Sequence, residues 1–308
     1  MAKINSRYNL QAISDFAGIV IIMLMAIIAP FFGGYDYKAA YRGDILTGTF
    51  GNLTFFPYPA YWFFFPFVML PEMVGYFIWN IANALCFIFA IRYWKGNYLA
   101  FAFFIGAFWT FYGGQIEGFM AGALVLLMLP NPWLSGLGIT ILSFKPQIGL
   151  FPIVYLLLNK RDWKLLVVPS IIYIASFLYW GWWVPDWLSH LQSIREASKI
   201  LVTMVSLFPF GLVLLPLLWR YQTSLKIWMY VQSLVLPYFP IYSLAPLFTI
   251  SPPPWWINIL IWVFYLSLSR FLVLSKFGFV FPLALLVYEI WKFERAKKSI
   301  VPDASESG

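Results

Sequence analysis

Long apolar runs alternate with short polar loops along nearly the whole chain, and this alternation predicts a bundle of membrane-embedded helices. A membrane span needs about 20 apolar residues, and fewer where the helix is broken or re-entrant. On this basis we predict ten to twelve membrane segments. The twelve crossing segments are residues 16–32, 74–91, 98–112, 117–129, 134–144, 148–158, 165–183, 200–219, 225–236, 241–250, 255–268 and 277–291.

Two outer loops contain further amphipathic pieces. Residues 58–70 are apolar, but prolines at 57, 59, 66 and 71 indicate a half-buried interfacial helix instead of a full span. Residues 184–199 have the pattern of an amphipathic helix. Residues 1–298 form one predicted membrane domain, and the polar tail 299–308 is expected to be disordered.

The distribution of basic residues predicts the orientation of the chain. With both termini in the cytoplasm, 13 of the 20 Lys and Arg residues lie on the cytoplasmic side, as the positive-inside rule requires. The expected location is the plasma membrane, with multiple passes. The first helix is interpreted as retained, although an uncleaved signal anchor has the same pattern.

Composition supports an all-α polytopic membrane protein and excludes several chemistries. The chain is 62% hydrophobic and 10% charged, with a mean hydropathy of +0.79. The net charge of +8 comes from dispersed basic residues, which argues against a nucleic-acid partner and favours contact with membrane lipids. Cys86 and His190 are single, so an intramolecular disulfide and most histidine-dependent triads are excluded. No metal site or cofactor is predicted, and proton transfer must rest on Asp, Glu, Tyr or Lys.

The triplet Lys145-Pro146-Gln147 interrupts two apolar segments. A cation at such a break is costly in lipid and is tolerated where it meets water, protein or an anionic ligand. Lys145 therefore marks a candidate site, although a lysine that extends to the interface remains an alternative.

A tyrosine-rich acidic stretch follows the first apolar segment. Asp36 lies between Tyr35 and Tyr37, just after Gly33-Gly34, and forms with Lys145 a candidate carboxylate and cation pair on one membrane face. Asp36 has the alternative of a simple loop or cap carboxylate. Arg42 and Asp44 are also consistent with exposed loop charges.

Glycines at 114, 118 and 122 have the spacing of a close helix-packing face. Gln115 and Glu117 lie at its outer end, where they either line a site or are simply a polar helix terminus. The sequence contains no nucleotide-binding glycine pattern, so an activated substrate is expected to be lipid-linked.

In combination, these residues resemble the C-type membrane glycosyltransferases, specifically family 87 mannosyltransferase-like proteins that use polyprenyl-phosphate sugars. The resemblance covers residues 16–270 and rests on motifs in chain order: Asp36, Tyr58-Pro59, Leu70-Pro71, Trp79, Gly114-Gln115, Lys145-Pro146 and the proline-tyrosine loop 237–243. The family commonly has a second proline where this chain has Ala60, and Asn where it has Gly113, so the substrate is open to variation.

The resemblance implies inverting transfer of a hexose, first of all mannose, from a polyprenyl-phosphate donor to a lipid or glycan acceptor at the outer face. It implies Asp36 as the general base, with Lys145 and Arg42 neutralising the donor phosphate. Substrate-binding residues are predicted at Tyr35, Tyr41, Tyr58, Gln115 and Gln147.

Two other classes remain open at this point. A lipid or solute transporter would need paired broken helices with polar groups at the bilayer midplane, whereas the polar candidates here gather at outer helix ends. A non-catalytic scaffold would explain the glycine face but leaves Lys145 and Asp36 without a role.

Overall fold

The computed structural model describes residues 2–49, 56–190, 204–270 and 277–298. Regular structure within these ranges is helical, apart from one isolated antiparallel bridge between Met204 and Pro240. The α-helices are α1 (Ala2–Ile28), α2 (Arg42–Thr47), α3 (Pro59–Val68), α4 (Glu72–Trp94), α5 (Tyr98–Ala102), α6 (Ile105–Gly113), α7 (Glu117–Met128), α8 (Pro132–Ser143), α9 (Pro146–Lys160), α10 (Val167–Trp180), α11 (within 184–190), α12 (Pro216–Arg220), α13 (Leu225–Val235), α14 (Ala245–Ile250), α15 (Trp255–Arg270) and α16 (Val280–Lys298).

Short helical turns of other types join these helices. They are the 3-10 turns Ala29–Phe31, Trp163–Leu166, Phe210–Leu214 and Ile241–Leu244, and one turn of π-helix, Asp36–Tyr41. The all-α class predicted from the sequence is confirmed.

The described helices include three that are long and apolar enough to cross a membrane: Leu10–Phe31, Glu72–Trp94 and Trp163–Trp180. Helices α6 and α7 together pass the same test but are bent by 114° at the break between them. The chain is therefore a polytopic membrane protein. Its described residues also include four shorter apolar helices of 10–17 residues: Pro132–Ser143, Phe210–Arg220, Ile241–Ile250 and Trp255–Ser267.

Several predicted segments differ in detail from the structure. The single helix predicted over 98–112 is divided into α5 and α6. The described part of 200–219 is not one helix: a 3-10 turn follows Pro209, and α12 begins at Pro216. The predicted amphipathic helix 184–199 is helical over 184–190, whereas its remainder, with Arg195 and Glu196, lies outside the described residues. The tail 299–308 also lies outside them.

Helix α3 has the half-buried character expected of an interfacial helix. Ala60, Phe64 and Val68, spaced four residues apart, are buried on one face, whereas Phe65 on another face is exposed. The buried face packs on α4, where the Trp79 ring lies 5.6 Å from the ring of Phe64. This packing places a layer of aromatic rings over the centre of the bundle.

Helix α7 is held between α4 and α8 by close backbone contacts. A Cβ atom on Gly118 would lie 2.4 Å from the Asn83 carbonyl oxygen of α4, and one on Gly122 would lie 3.3 Å from Cys86 Sγ. On the other side, a Cβ atom on Gly138 of α8 would lie 2.7 Å from the Leu127 nitrogen. These contacts agree with the predicted packing role of the small residues and fix the N-terminal end of α7 inside the protein.

Candidate functional site

The loop after α1 is fixed on the end of α6 by two glycines. Gly34 has φ +105° and donates its N–H to the Tyr112 carbonyl at 2.7 Å, and a Cβ atom on Gly33 would lie 2.1 Å from the same oxygen. Only glycine allows both the left-handed conformation and this close approach. The contact places Asp36, at the start of the π-helical turn, beside the bend between α6 and α7.

The bend itself presents Gln115. Gly114 ends α6 with φ +78°, and the Trp79 indole N–H lies 3.1 Å from the Gly114 carbonyl oxygen and 3.2 Å from that of Gln115. These hydrogen bonds satisfy carbonyl groups that the helix break leaves unpaired. The Gln115 side chain is consequently buried and held at the centre of the cluster.

Lys145 is presented by the tight connection between α8 and α9. Pro146 begins α9, and the Lys145 carbonyl accepts hydrogen bonds from the N–H groups of Ile148 (2.8 Å) and Gly149 (3.0 Å). A Cβ atom on Gly149 would lie 2.2 Å from the Leu142 carbonyl, so the two helices are pressed together. Lys145 is buried, with 4% of the residue exposed, so its side chain does not extend to solvent.

Gln115 connects the carboxylate to the cation. Its Nε2 donates to Asp36 Oδ2, and its Oε1 accepts hydrogen bonds from Lys145 Nζ at 3.2 Å and from the Tyr41 hydroxyl at 3.5 Å. The structure therefore brings four of the predicted site residues together.

Glu117 completes the cluster, and the sequence had left open whether it lines a site or is simply a polar helix terminus. Its side chain is fully buried, and Oε1 accepts a hydrogen bond from Lys145 Nζ and lies 3.4 Å from the Ser243 hydroxyl. A buried acidic residue among apolar neighbours normally has a partner or a function. The sequence placed this residue at a helix terminus but could not identify Lys145 as its partner.

Tyr242 lies beside Lys145, and Tyr238 is hydrogen-bonded to Tyr242. Lys145 Nζ lies 5.0 Å from the centre of the Tyr242 ring, within the range of a cation–π interaction. Both tyrosines belong to the loop 237–243 whose proline-tyrosine pattern contributed to the family resemblance.

The surroundings of Asp36 suit a proton acceptor. The pKa of Asp36 is raised to about 6, mainly by burial; the charge of Lys145 opposes the rise, the charge of Glu117 adds to it, and the Gln115 hydrogen bond opposes it. A carboxylate with this pKa is ionised at neutral pH and is a stronger base than an ordinary aspartate.

Residues 55–207 match the family model of glycosyltransferase family 87. The matched region is just under half of the 308 residues and contains α3 to α11 with Gln115, Glu117 and Lys145. The match supports the family for this chain, and with it a glycosyltransferase. Asp36, Tyr41 and the tyrosine loop lie outside the matched region. Neither curated proteins nor solved structures gave a match.

Arg42, which the family resemblance assigned to the donor phosphate, contacts α3 and α4. Arg42 donates to the carbonyls of Val68 and Leu70 at the end of α3, the latter at 2.8 Å, and lies 4.0 Å from Glu72. Its guanidinium is therefore engaged with α3 and α4, and not with the Lys145 cluster.

The tyrosines at 35 and 58 and the glutamine at 147 also lie in other surroundings. Tyr35 is exposed, Tyr58 stacks on Trp183 with ring centres 5.3 Å apart, and the Gln147 carbonyl accepts a hydrogen bond from Gln232. Their predicted roles in substrate binding remain predictions.

Asp44 corrects an expectation from the sequence. It is 2% exposed, and Tyr61 donates a hydrogen bond to its Oδ2 at 3.3 Å, so it is not a solvated loop charge. The partner comes from α3, which the local sequence around Asp44 could not indicate. In the described part of the chain, no group of three or more His, Cys, Asp or Glu side chains is placed to hold a metal ion.

Proposed function

We propose that this protein transfers a hexose, with mannose as the first candidate, from a polyprenyl-phosphate donor to a lipid or glycan acceptor, with inversion at the anomeric carbon. The observation that carries the proposal is the hydrogen-bonded bridge from Asp36 through Gln115 to Lys145. Such a bridge joins a base and a phosphate-binding cation in one buried cluster. The family 87 match over residues 55–207 supports the same class of reaction.

In the proposed reaction, an acceptor hydroxyl oxygen attacks the anomeric carbon while its proton passes to the Asp36 carboxylate. The bond between the anomeric carbon and the phosphate oxygen breaks, and its electron pair leaves with polyprenyl phosphate. Lys145 stabilises the negative charge that develops on that phosphate. The products are the new glycoside and sugar-free polyprenyl phosphate. One bond to the anomeric carbon is formed and one is broken.

The contacts of Lys145 are compatible with this role. An ammonium group has three N–H donors, and two of them are directed to Gln115 and Glu117. A phosphate oxygen can therefore take the third donor while both protein contacts are retained. Glu117 keeps the lysine in place in the absence of donor.

The membrane setting of the reaction is part of the proposal. The distribution of basic residues supports cytoplasmic termini and an outer-face site in the plasma membrane. A lipid-linked sugar is the form of activated donor that reaches that face, and the sequence has no nucleotide-binding pattern.

The test is sugar transfer by purified protein in nanodiscs. Polyprenyl phosphate carrying radiolabelled mannose or glucose is supplied with a membrane lipid extract as acceptor. We expect a labelled glycoside and one equivalent of sugar-free polyprenyl phosphate. Transfer from GDP-mannose but not from either lipid-linked sugar would contradict the proposal. Movement of the labelled lipid between leaflets without a new glycosidic bond would indicate the transporter alternative.

A further inference from the structure

One oxygen of the buried Glu117 carboxylate is left without a partner. Oε1 is engaged with Lys145 and Ser243, but Oε2 has no hydrogen-bond donor anywhere in the described part of the chain. Leaving a buried charged acceptor without a hydrogen-bond donor is energetically unfavourable. Such an atom in a native protein calls for a donor that the protein itself does not supply.

The position of Glu117 indicates what that donor is. Lys145, which it contacts directly, is the proposed partner of the donor phosphate, and Gln115 separates it from the base Asp36. In a polyprenyl-phosphate sugar, the sugar ring is attached directly to the phosphate. A phosphate oxygen on Lys145 therefore brings the hydroxyls of that ring to the vicinity of Glu117.

We infer that Glu117 Oε2 accepts a hydrogen bond from a ring hydroxyl of the donor sugar, and that Glu117 is thereby a specificity-determining residue. The inference rests on the proposed function. It assigns the two carboxylates different partners: Asp36 receives the acceptor's proton, and Glu117 holds the sugar that is transferred.

An ionised carboxylate accepts hydrogen bonds and donates none. The contact therefore favours a donor sugar that has a hydroxyl group at this position over one that lacks it. A sugar that lacks the hydroxyl leaves Oε2 unpaired and should be rejected, as in other sites built around a buried polar group. Glu117→Gln keeps an oxygen for Lys145 and replaces the second acceptor by an NH₂ group, which is a donor.

The experiment compares affinities in nanodiscs for polyprenyl-phosphate mannose, polyprenyl-phosphate glucose and sugar-free polyprenyl phosphate. The dissociation constant for sugar-free polyprenyl phosphate is divided by that for the sugar-bearing lipid. This ratio measures how much the sugar contributes to binding. We expect this ratio in Glu117→Gln to fall about tenfold or more for the preferred sugar, whereas affinity for the sugar-free lipid is retained or improved.

Glu289→Gln is the matched control. Glu289 is also a buried glutamate, its Oε1 accepts a hydrogen bond from Ser251 at 2.8 Å, and it lies in α16, outside the cluster. This variant should keep the wild-type ratio. A second measurement uses single-deoxy sugars on the wild-type protein, where the donor lacking one particular hydroxyl should bind about tenfold more weakly.

The outcomes separate the inference from the function on which it rests. An unchanged ratio in Glu117→Gln, with wild-type protein that transfers sugar, overturns the inference alone. A wild-type protein that neither transfers sugar nor binds the sugar-bearing lipids more tightly overturns both. If Glu117→Gln does not fold, the single-deoxy donors provide the test. The inference is overturned if the wild-type protein binds every single-deoxy donor as tightly as the donor with the complete sugar.

Discussion

Neutralising Lys145 should damage the protein in two separable ways, because Lys145 is both a proposed phosphate partner and half of a buried ion pair. Its side chain is 5% exposed and that of Glu117 is fully buried. Lys145→Gln removes the cation and leaves the Glu117 carboxylate buried beside two neutral amides, those of Gln115 and the new glutamine.

The size of the stability loss follows from this burial. Removing one partner of a buried ion pair costs about 3–5 kcal/mol, since the other charge remains without compensation. Replacing both partners by neutral groups that hydrogen-bond to each other avoids most of this cost. We therefore expect Lys145→Gln to lower the thermal midpoint by at least about 5 °C, and Lys145→Gln with Glu117→Gln to recover most of the loss.

Transfer activity should not follow stability. Both variants lack the cation that stabilises the leaving phosphate, so both should transfer sugar about 10²–10³-fold more slowly than wild type. Thermal unfolding is followed by tryptophan fluorescence in detergent, and transfer is measured on the folded fraction of each variant.

Arg220→Gln is the control for ion pairs in general. Arg220 lies 2.9 Å from Glu294, but this pair is exposed to solvent, so its loss should leave the thermal midpoint close to that of wild type. The reasoning is refuted if Lys145→Gln is as stable as Arg220→Gln, or if the double variant recovers transfer together with stability.

Three further predictions concern the base, a buried carboxylate and the helix packing. The pKa of Asp36 at about 6 predicts that kcat/KM for transfer rises with pH to a plateau, with its midpoint near pH 6. Gln115→Leu removes a hydrogen bond that favours the ionised form of Asp36, so the pKa of Asp36 should rise. The midpoint of the rise in kcat/KM should then move up by about one pH unit, and an unchanged midpoint would contradict the contact. Asp44→Asn weakens the bond to Tyr61 and should lower stability by about 1 kcal/mol while folded protein transfers normally; a folded but inactive variant would make Asp44 a rival base. Gly118→Val should cost about 1–3 kcal/mol or more, because its Cβ meets the Asn83 backbone 2.4 Å away. Gly43→Ala, with nothing within 4 Å of its Cβ, should yield as much monodisperse protein as wild type.

Sequence patterns predicted the elements that form the site better than they predicted the contacts between the site residues. Pro146 marked the break that presents Lys145, and the prolines around α3 indicated a short helix, because each acts on the local backbone. The glycine spacing in α7 indicated a packing face because a residue without a side chain is needed where the backbone of a neighbouring helix comes so close.

Long-range contacts could not be predicted in this way. Lys145, the partner of Glu117, is 28 residues away in the connection between α8 and α9, and the partner of Asp44 comes from α3. The 114° bend between α6 and α7 depends on the φ of Gly114 and on hydrogen bonds from Trp79, which the hydrophobic pattern does not show. The sequence also did not indicate that Arg42 Nη1 donates to the carbonyls of Val68 and Leu70 at the end of α3, and the predicted phosphate role of Arg42 stays a prediction.

The central claim is that Asp36 is the base of a sugar transfer, and Asp36→Asn tests it most directly. Burial raises the pKa of this carboxylate, so its ionised form opposes folding above pH 6, and the neutral variant should be at least as stable as wild type at pH 7.5. The measurement is transfer of radiolabelled sugar from polyprenyl phosphate by folded protein in nanodiscs. The account predicts turnover about 10²–10⁴-fold below wild type with donor affinity retained. Wild-type turnover by folded Asp36→Asn would contradict it.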